Sequence, residues 1–435
     1  MDPLAARRGG QRATGAAIRR ALPDLKALGH RDYRLLWSGQ LVMNALMPLQ
    51  FVTGLLWLQA AAPEHLRLLL AGLLGATRGG AMLLMGLVGG ALADRLDRRH
   101  LLITTQTVAL TANALIALLL LSGGLGGISL AAFLLLSFVA GGAMAVDMPT
   151  RQALVTELVP REHLANAIAL DAVAMQVSLP ASLVASGLLI DGLGFGGAYA
   201  CGLVGHVAVL LALTRLRPHA VRRPVAGQTS FLRSVRDGIA FVRRTPTVLW
   251  VLVLLVVVMA LGFPPVASMG PVWVTRVLGL SPAQFGWFAA TWGLGALAAS
   301  LIMTTVGHFP RKGWLVGLGA IGFAACVVGW GHSRSVPLSA VLNFSLGALL
   351  SVTQIAARAL VQRIVPHTMQ GRVMSLFMLN MAVAQLMTAP VGALAQVLTF
   401  ELVVPVLGWI SLGLAVGIVL MRADIRRAGT AGAVL

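Results

Sequence analysis

Three ionisable side chains stand inside long apolar stretches, where a charge is costly enough to make each a functional candidate. They are Arg78, Asp171 and His206. Glycines flank Arg78, so its guanidinium could bind an anion or pair with Asp171, although structural pairing or snorkelling explains it equally well. Asp171 is the best candidate for a protonatable coupling group, unless it is a static partner. For His206 a hydrogen-bonded structural role is favoured over a proton relay.

A second group of candidates combines amides with methionines. Five of them, in the first apolar stretch, recur at three- and four-residue spacing: Gln40, Met43, Asn44, Met47 and Gln50. This spacing predicts one stripe along a helix. Polar amides interleaved with flexible methionines suit a loosely specified amphipathic ligand. The alternative is that the amides join neighbouring helices by hydrogen bonds.

A third group is a cluster of charge between two apolar stretches. Five charged residues fall within the six positions 94–99, just after a pair of glycines at 89 and 90. So many charges cannot lie in hydrocarbon, so we expect a tight turn at the membrane surface.

The composition shows what must position these residues. Hydrophobic residues make up 58% of the chain and charged residues 11%, with a mean hydropathy of +0.87, whereas soluble proteins carry about 25% charged residues. Stretches long enough to cross about 30 Å of hydrocarbon are predicted at 35–60, 66–93, 100–122, 127–149, 164–190, 195–214, 247–275, 283–307, 314–331, 336–356, 372–397 and 401–421. The fold class is therefore an all-α membrane protein with twelve transmembrane helices.

The basic residues predict the orientation of these spans. If both termini are cytoplasmic, all but four of the 33 Lys and Arg residues lie in cytoplasmic segments; the exceptions are Arg67, Arg78, Arg276 and Arg334. This bias follows the positive-inside rule, so the net charge of +19 indicates topology and not a nucleic-acid partner. We expect cytoplasmic tails at 1–33 and 423–435, although the Arg-rich start could also be a targeting peptide.

The chain divides into two similar halves. Residues 215–246 form the longest polar connection, and apolar residues recur in it at helical spacing opposite arginines, which predicts an amphipathic helix on the inner leaflet. This linker separates residues 34–214 from residues 247–422. The octapeptides 153–160 and 359–366 share five of eight residues. We therefore predict two pseudo-symmetric six-helix bundles, as in transporters that rock about a central site.

The charged cluster also carries a family resemblance. The motif Gly-x-x-x-Asp-Arg-x-x-Arg-Arg, formed by Gly90, Asp94, Arg95, Arg98 and Arg99, resembles the cytoplasmic loop motif of the major facilitator superfamily. The segments 30–37, 149–151, 165–167 and 237–241 are similar to the branch that contains the enterobactin exporter and macrolide efflux proteins. The intramembrane arginine of span four in the superfamily's drug antiporters is expected to be missing.

This resemblance implies roles for several residues. Asp94 would lie beside the start of the eleventh span, near Arg372, and act as a latch on the outward-facing state; the alternative is a turn whose charges only fix topology. Apart from the resemblance, the spacing permits Arg98 to pair with Asp147 or Glu157 at the end of span four. The family's cavity is lined by spans one, four, seven and ten, so amides of the later spans could face the stripe of the first span: Asn343, Gln354, Asn380 and Gln385.

The function predicted from these patterns is transport. The sequence has no nucleotide-binding loop, nucleophile motif or cysteine cluster, so we expect no enzyme activity, no cofactor and no metal. We expect a secondary active transporter of the inner membrane that exports an amphipathic small molecule, a drug or siderophore, by alternating access in antiport with protons. Its partners would be that substrate, the proton and membrane lipid. Uptake of an organic solute and lipid flipping are the alternatives.

Overall fold

The computed structural model describes residues 25–123, 127–217, 231–305 and 311–428, and these form helices joined by short turns. Within these ranges eleven helices are long and apolar enough to cross a membrane. One of them, Leu164–Thr214, has 51 residues and would extend about 77 Å as a single helix, far more than the hydrocarbon thickness. Gly194 breaks it, with φ 69° and ψ 178°. It is two spans, so the described chain carries twelve, as predicted.

The twelve spans form two groups of six. In order they are Arg31–Ala61, Arg67–Arg95, Arg98–Leu121, Gly127–Leu158, 164–193, 195–214, Pro246–Val277, Pro282–Thr305, Lys312–His332, Val336–Ile364, 367–398 and Phe400–Met421. The first six pack mainly on one another, and so do the last six. The two bundles meet along two seams, span two against span eleven and span five against span eight.

The ends of the spans define two faces of the molecule. Arg99, at the start of span three, donates to the carbonyl of Thr214 at the end of span six, at 2.7 Å. We call this side, which carries the charged cluster at 94–99, the motif face. On the opposite face Glu64, between spans one and two, lies 3.5 Å from Arg276 at the end of span seven.

Several helices continue beyond their apolar residues. The second span runs to Arg95 and the third begins at Arg98, so the charged cluster consists of two helix ends around a two-residue turn, which is tight as predicted. Asp97 caps the third span by accepting from the backbone N–H of His100 at 2.8 Å. The fourth span runs to Leu158, nine residues past its predicted end.

The linker and the internal repeat have regular structure. A helix at Phe231–Arg244 precedes the seventh span. The two similar octapeptides end the fourth and tenth spans, and each finishes in a proline of the same conformation. Pro160 has φ −56° and ψ 151°, and Pro366 has φ −57° and ψ 147°. Because proline stops a helix here by restricting the residue before it, the two halves turn in the same way.

Candidate translocation pathway

The seam between spans two and eleven is closed on the opposite face by glycines. A Cβ atom on Gly72 would lie 3.1 Å from the Cα of Gly392 and would collide with the carbonyl oxygen of Thr388. The hydroxyl of Thr388 donates to the carbonyl of Gly72 at 2.6 Å. Backbones approach this closely only where side chains are absent, so the two bundles are locked together here.

The seam between spans five and eight is equally tight. A Cβ on Gly286 would lie 2.6 Å from the carbonyl oxygen of Leu183, and one on Gly293 would lie 3.0 Å from Pro180. Nearer the membrane middle, the amide of Gln176 donates to the hydroxyl of Ser300. The two glycine contacts lie in the half of each span nearest the opposite face, and they close the molecule on that side. Gln176 and Ser300 lie past the middle of their spans, toward the motif face.

The predicted stripe of the first span divides into two faces. Gln40 donates to Asn44 at 3.0 Å and both are partly buried, while Met47 is 42% exposed. Met43 and Gln50 are instead 4% and 6% exposed and pack inside the first bundle. The open part of the stripe therefore contains Gln40, Asn44 and Met47, and neither Met43 nor Gln50 belongs to it.

The side chain of Arg78 reaches the end of this open stripe that is nearer the opposite face. Its guanidinium carbon lies 4.4 Å from the ring centroid of Phe51, one helical turn beyond Met47. Both side chains are partly buried. Among the described residues, no salt bridge with Asp171 or another carboxylate forms, so the predicted Arg78–Asp171 pair is absent from this conformation.

Asp171 has a different partner. The hydroxyl of Tyr33, at the start of span one, donates to Asp171 Oδ1 at 3.3 Å and to the carbonyl of Ala167 at 2.9 Å. Tyr33 is fully buried, whereas Asp171 is only partly buried. A carboxyl group bound by one phenol, with no cation paired to it in the described chain, can take up a proton without breaking an ion pair.

His206 belongs to a buried polar network inside the first bundle. Its Nδ1 lies 2.8 Å from the amide nitrogen of Gln106, and its Nε2 lies 3.1 Å from that of Gln50. Asn113 contacts Nε2 at 3.3 Å and accepts from the hydroxyl of Tyr199 at 2.9 Å. Both ring nitrogens are engaged, which favours the structural role for His206 and explains why Gln50 leaves the stripe.

A buried ion pair stands in the fourth span, where none was expected. Arg151 lies inside the helix, 4% exposed, and its guanidinium binds the carboxylate of Asp147, which is 3% exposed. The hydroxyl of Thr105, on span three, donates to Asp147 at 3.3 Å. Arg151 lies beyond the predicted end of span four at residue 149, in the part of the helix that continues to Leu158. The pair therefore does not contradict the expectation that the span itself lacks an intramembrane arginine.

The described residues of the charged cluster join helices within the first bundle. Arg98 forms a 2.7 Å salt bridge with Glu157 and not with Asp147, and donates to the carbonyl of Ala153 at 3.1 Å. Arg99 donates to backbone carbonyls at the end of span six, which have no hydrogen-bond partner within their own helix. The side chains of Asp94 and Arg95, and the surroundings of Gly90, lie outside the described residues.

The amides of the second bundle mostly join helices. Asn343, 4% exposed, donates to the carbonyl of Phe288 at 3.1 Å and to the hydroxyl of Thr291 at 2.9 Å, so it ties span ten to span eight. Gln354 donates to Asn380 at 3.4 Å across spans ten and eleven. Asn343 therefore does not face the stripe, while Gln354 remains partly buried.

The comparisons with known proteins match this architecture. The sequence profile of a family described as a transmembrane secretion effector, within the major facilitator superfamily, matches residues 24–431. The chain belongs to this family. It is a transporter and not an enzyme, since the members it resembles are transporters of the major facilitator type.

One relative and two solved structures are similar to most of this chain. The enterobactin exporter EntS of Shigella flexneri is 26% identical over 310 residues, which cover 69% of this chain and 70% of that protein. A bacterial homologue of the human lysosomal transporter Spinster, in an inward-facing occupied conformation, superimposes with a TM-score of 0.73 at 14% identity, over 93% of this chain and 99% of that one. The nucleoside transporter NupG gives 0.68 at 10% identity, over 90% and 99%.

Three functional candidates were missed in the sequence. Tyr33 and Phe51 are ordinary members of a long apolar helix, and only the fold brings them to Asp171 and Arg78. Arg151 could be seen in the sequence as a charge close to a span. It follows Asp147 by four residues, and this spacing predicts that the two side chains lie on one face of a helix and can pair.

Proposed function

We propose that this superfamily member is an exporter in the inner membrane, which expels an amphipathic organic molecule of the drug or siderophore type. The similarity to the enterobactin exporter, which spans about 70% of both chains, carries the direction and the substrate type. Uptake is the competing function, since a nucleoside transporter is among the structural neighbours. Those neighbours are too distant in sequence to carry more than the fold.

In the proposed cycle the bundles alternate between openings on the two faces. The motif face lies in the cytoplasm, because most basic residues gather there. The closed seams on the opposite face fit an inward-facing state, in which Gln40, Asn44 and Met47 meet the cytoplasmic substrate. Asp94 closes the motif face in the other state by lying at the start of span eleven.

Proton entry drives this export, and Asp171 carries the proton. Its carboxyl is partly accessible and is hydrogen-bonded by Tyr33, which retains the Ala167 carbonyl as an acceptor when Asp171 is protonated. Protonation therefore removes a charge from the span without leaving a buried donor unpaired.

The experiment is export from intact cells and from proteoliposomes, with a panel of drugs and siderophores. Cells lacking the gene should retain the substrate, and an uncoupler should abolish uphill export by the wild type. Asp171→Asn should lose uphill export and keep substrate exchange, whereas Asp191→Asn, at an exposed carboxyl on the same helix, should behave as wild type. Reduced entry of an external solute in the deletion strain would show uptake instead, and phospholipid movement without solute transport would show a flippase.

A further inference from the structure

Arg78 is a charge that the protein leaves largely uncompensated. It stands eleven residues after the start of the helix Arg67–Arg95, about 16 Å along the span. In the described chain it forms no salt bridge, and its guanidinium lies over the face of Phe51. A cation–π contact offsets only part of the cost of holding a charge at this depth. The guanidinium therefore remains a strong site for an anion.

The guanidinium is placed where a ligand can reach it. Phe51 continues the open stripe of span one, one turn beyond Met47, which is 42% exposed. Beyond Phe51 the residues 52–58 of the same helix are all buried, so the accessible path ends at this ring. Arg78 and Phe51 thus form the inner end of the path that leads along Gln40 and Asn44.

A second unpartnered polar atom lies at the same level on the other bundle. The Oε1 atom of Gln385, on span eleven, is buried and has no hydrogen-bond partner among the described residues. The Cβ of Gln385 lies 2.8 Å from the place that a Cβ on Gly79 would occupy, one residue after Arg78. A buried acceptor without a donor is destabilising, so a ligand that supplies one would gain affinity here.

We propose that Arg78 and Gln385 form the two poles of the substrate site, which selects an organic anion that also carries a hydrogen-bond donor. The planar guanidinium of Arg78 forms bidentate hydrogen bonds with the carboxylate or a comparable oxyanion. Gln385 accepts from the donor as the seam between spans two and eleven loosens. Since the two residues belong to different bundles, the ligand joins both. The inference rests on the proposed function only in taking this ligand to be the exported molecule.

Binding to the purified full-length protein in nanodiscs tests the proposal without requiring transport. The probes are dansylglycine, an aliphatic carboxylate that carries a naphthalene ring and a sulfonamide N–H, and its neutral amide. Binding of each is followed by energy transfer from the protein's tryptophans. The wild type should bind the anion at least tenfold more tightly than the amide. Arg78→Gln should abolish this preference while still binding the amide, Arg78→Lys should keep most of it, and Gln385→Leu should weaken both probes alike.

The control uses another arginine that lies over an aromatic ring. Arg334, in the turn before span ten, lies 5.1 Å from the ring centroid of Trp273 and outside the path, so Arg334→Gln should leave the preference intact. Equal binding of both probes by the wild type, no binding of either, or a preference that survives Arg78→Gln would overturn the proposal. Export of neutral compounds could still stand after any of these results, so the failure of this site and the failure of the proposed function are distinguishable.

Discussion

At the scale of single residues, the pair of Asp147 and Arg151 combines deep burial with incomplete hydrogen bonding. Both groups are almost fully buried, and only part of their hydrogen-bonding capacity is used, because the Nη1 atom of Arg151 has no partner in the described chain. Removing one member of a buried pair leaves the other charge uncompensated, whereas replacing both with apolar residues removes the desolvation cost. The pair is therefore fragile to single changes.

We predict that Asp147→Leu or Arg151→Met alone lowers the free energy of unfolding by about 3–5 kcal/mol, and that the double variant recovers most of this loss. Thermal unfolding of the purified protein in one detergent, followed by circular dichroism, measures all four members of the cycle. Arg98→Met, which breaks the partly exposed pair with Glu157, should cost less than either buried single change. Additive losses in the double variant would contradict a coupled pair.

The sequence identified which residues of the site are unusual but not how they are partnered. A charge in an apolar stretch is visible without a structure, so Arg78 and Asp171 could be singled out. Their neighbours Phe51 and Tyr33 come from another helix, and Tyr33 lies 138 residues away from Asp171 in the chain. Spacing alone likewise placed Gln50 on the stripe, because it cannot show that His206 draws this amide into the bundle.

At the scale of helices, hydropathy located every span and misjudged where several end. Hydropathy reports where lipid contacts the chain, while a helix ends where its backbone hydrogen bonds end. The fourth span continues through a buried, charged turn to Leu158 because Arg98 and Glu157 support it there. The two Val-Pro ends, at Pro160 and Pro366, were predictable because proline stops a helix wherever it lies.

The glycine contact between spans two and eleven yields a prediction at this scale. Gly72→Leu should force the spans apart, because its side chain would overlap the backbone at Thr388, and should favour the state open on the opposite face. The reporter is Leu68→Cys, at a residue 7% exposed, in a protein whose Cys201 and Cys326 are serine. Labelling by a membrane-impermeant maleimide should rise severalfold.

The same helix provides the control for that change. Gly86 has no atom within 4 Å of the position of an added Cβ, so Gly86→Leu should leave the labelling of the Leu68→Cys reporter unchanged. Equal labelling in the Gly72 and Gly86 variants would mean that the close approach of these backbones does not hold the seam shut.

At the scale of the whole molecule, the closest glycine contacts between the bundles lie in the half of the spans nearest the opposite face. The charged residues of the motif that the structure describes bind within the first bundle, and Arg372, at the start of span eleven, pairs with Asp237 of the linker helix at 3.0 Å. We therefore propose that Asp94 pairs in the alternate state with the backbone at the start of span eleven, since the nearby Arg372 already has a carboxylate partner.

We predict that Asp94→Asn abolishes transport while the protein remains folded in the membrane, because a neutral side chain loses its attraction to the positive helix start. Asp97→Asn is the matched control three residues away, since asparagine caps a helix as well as aspartate does. Transport assays in proteoliposomes and gel-filtration profiles compare the two variants. Normal rates in Asp94→Asn would leave the charged turn with a role in topology alone.

The left-handed residue at 194 has a mechanical consequence for the rocking of the bundles. Spans five and six share one backbone break at Gly194, in a conformation that only glycine adopts readily, and no loop separates them. Span five borders the second bundle, while span six is anchored through His206 to spans one and three. Because no loop between the two spans can absorb a displacement of span five, that displacement must move span six as well. It is thereby passed to spans one and three of the first bundle.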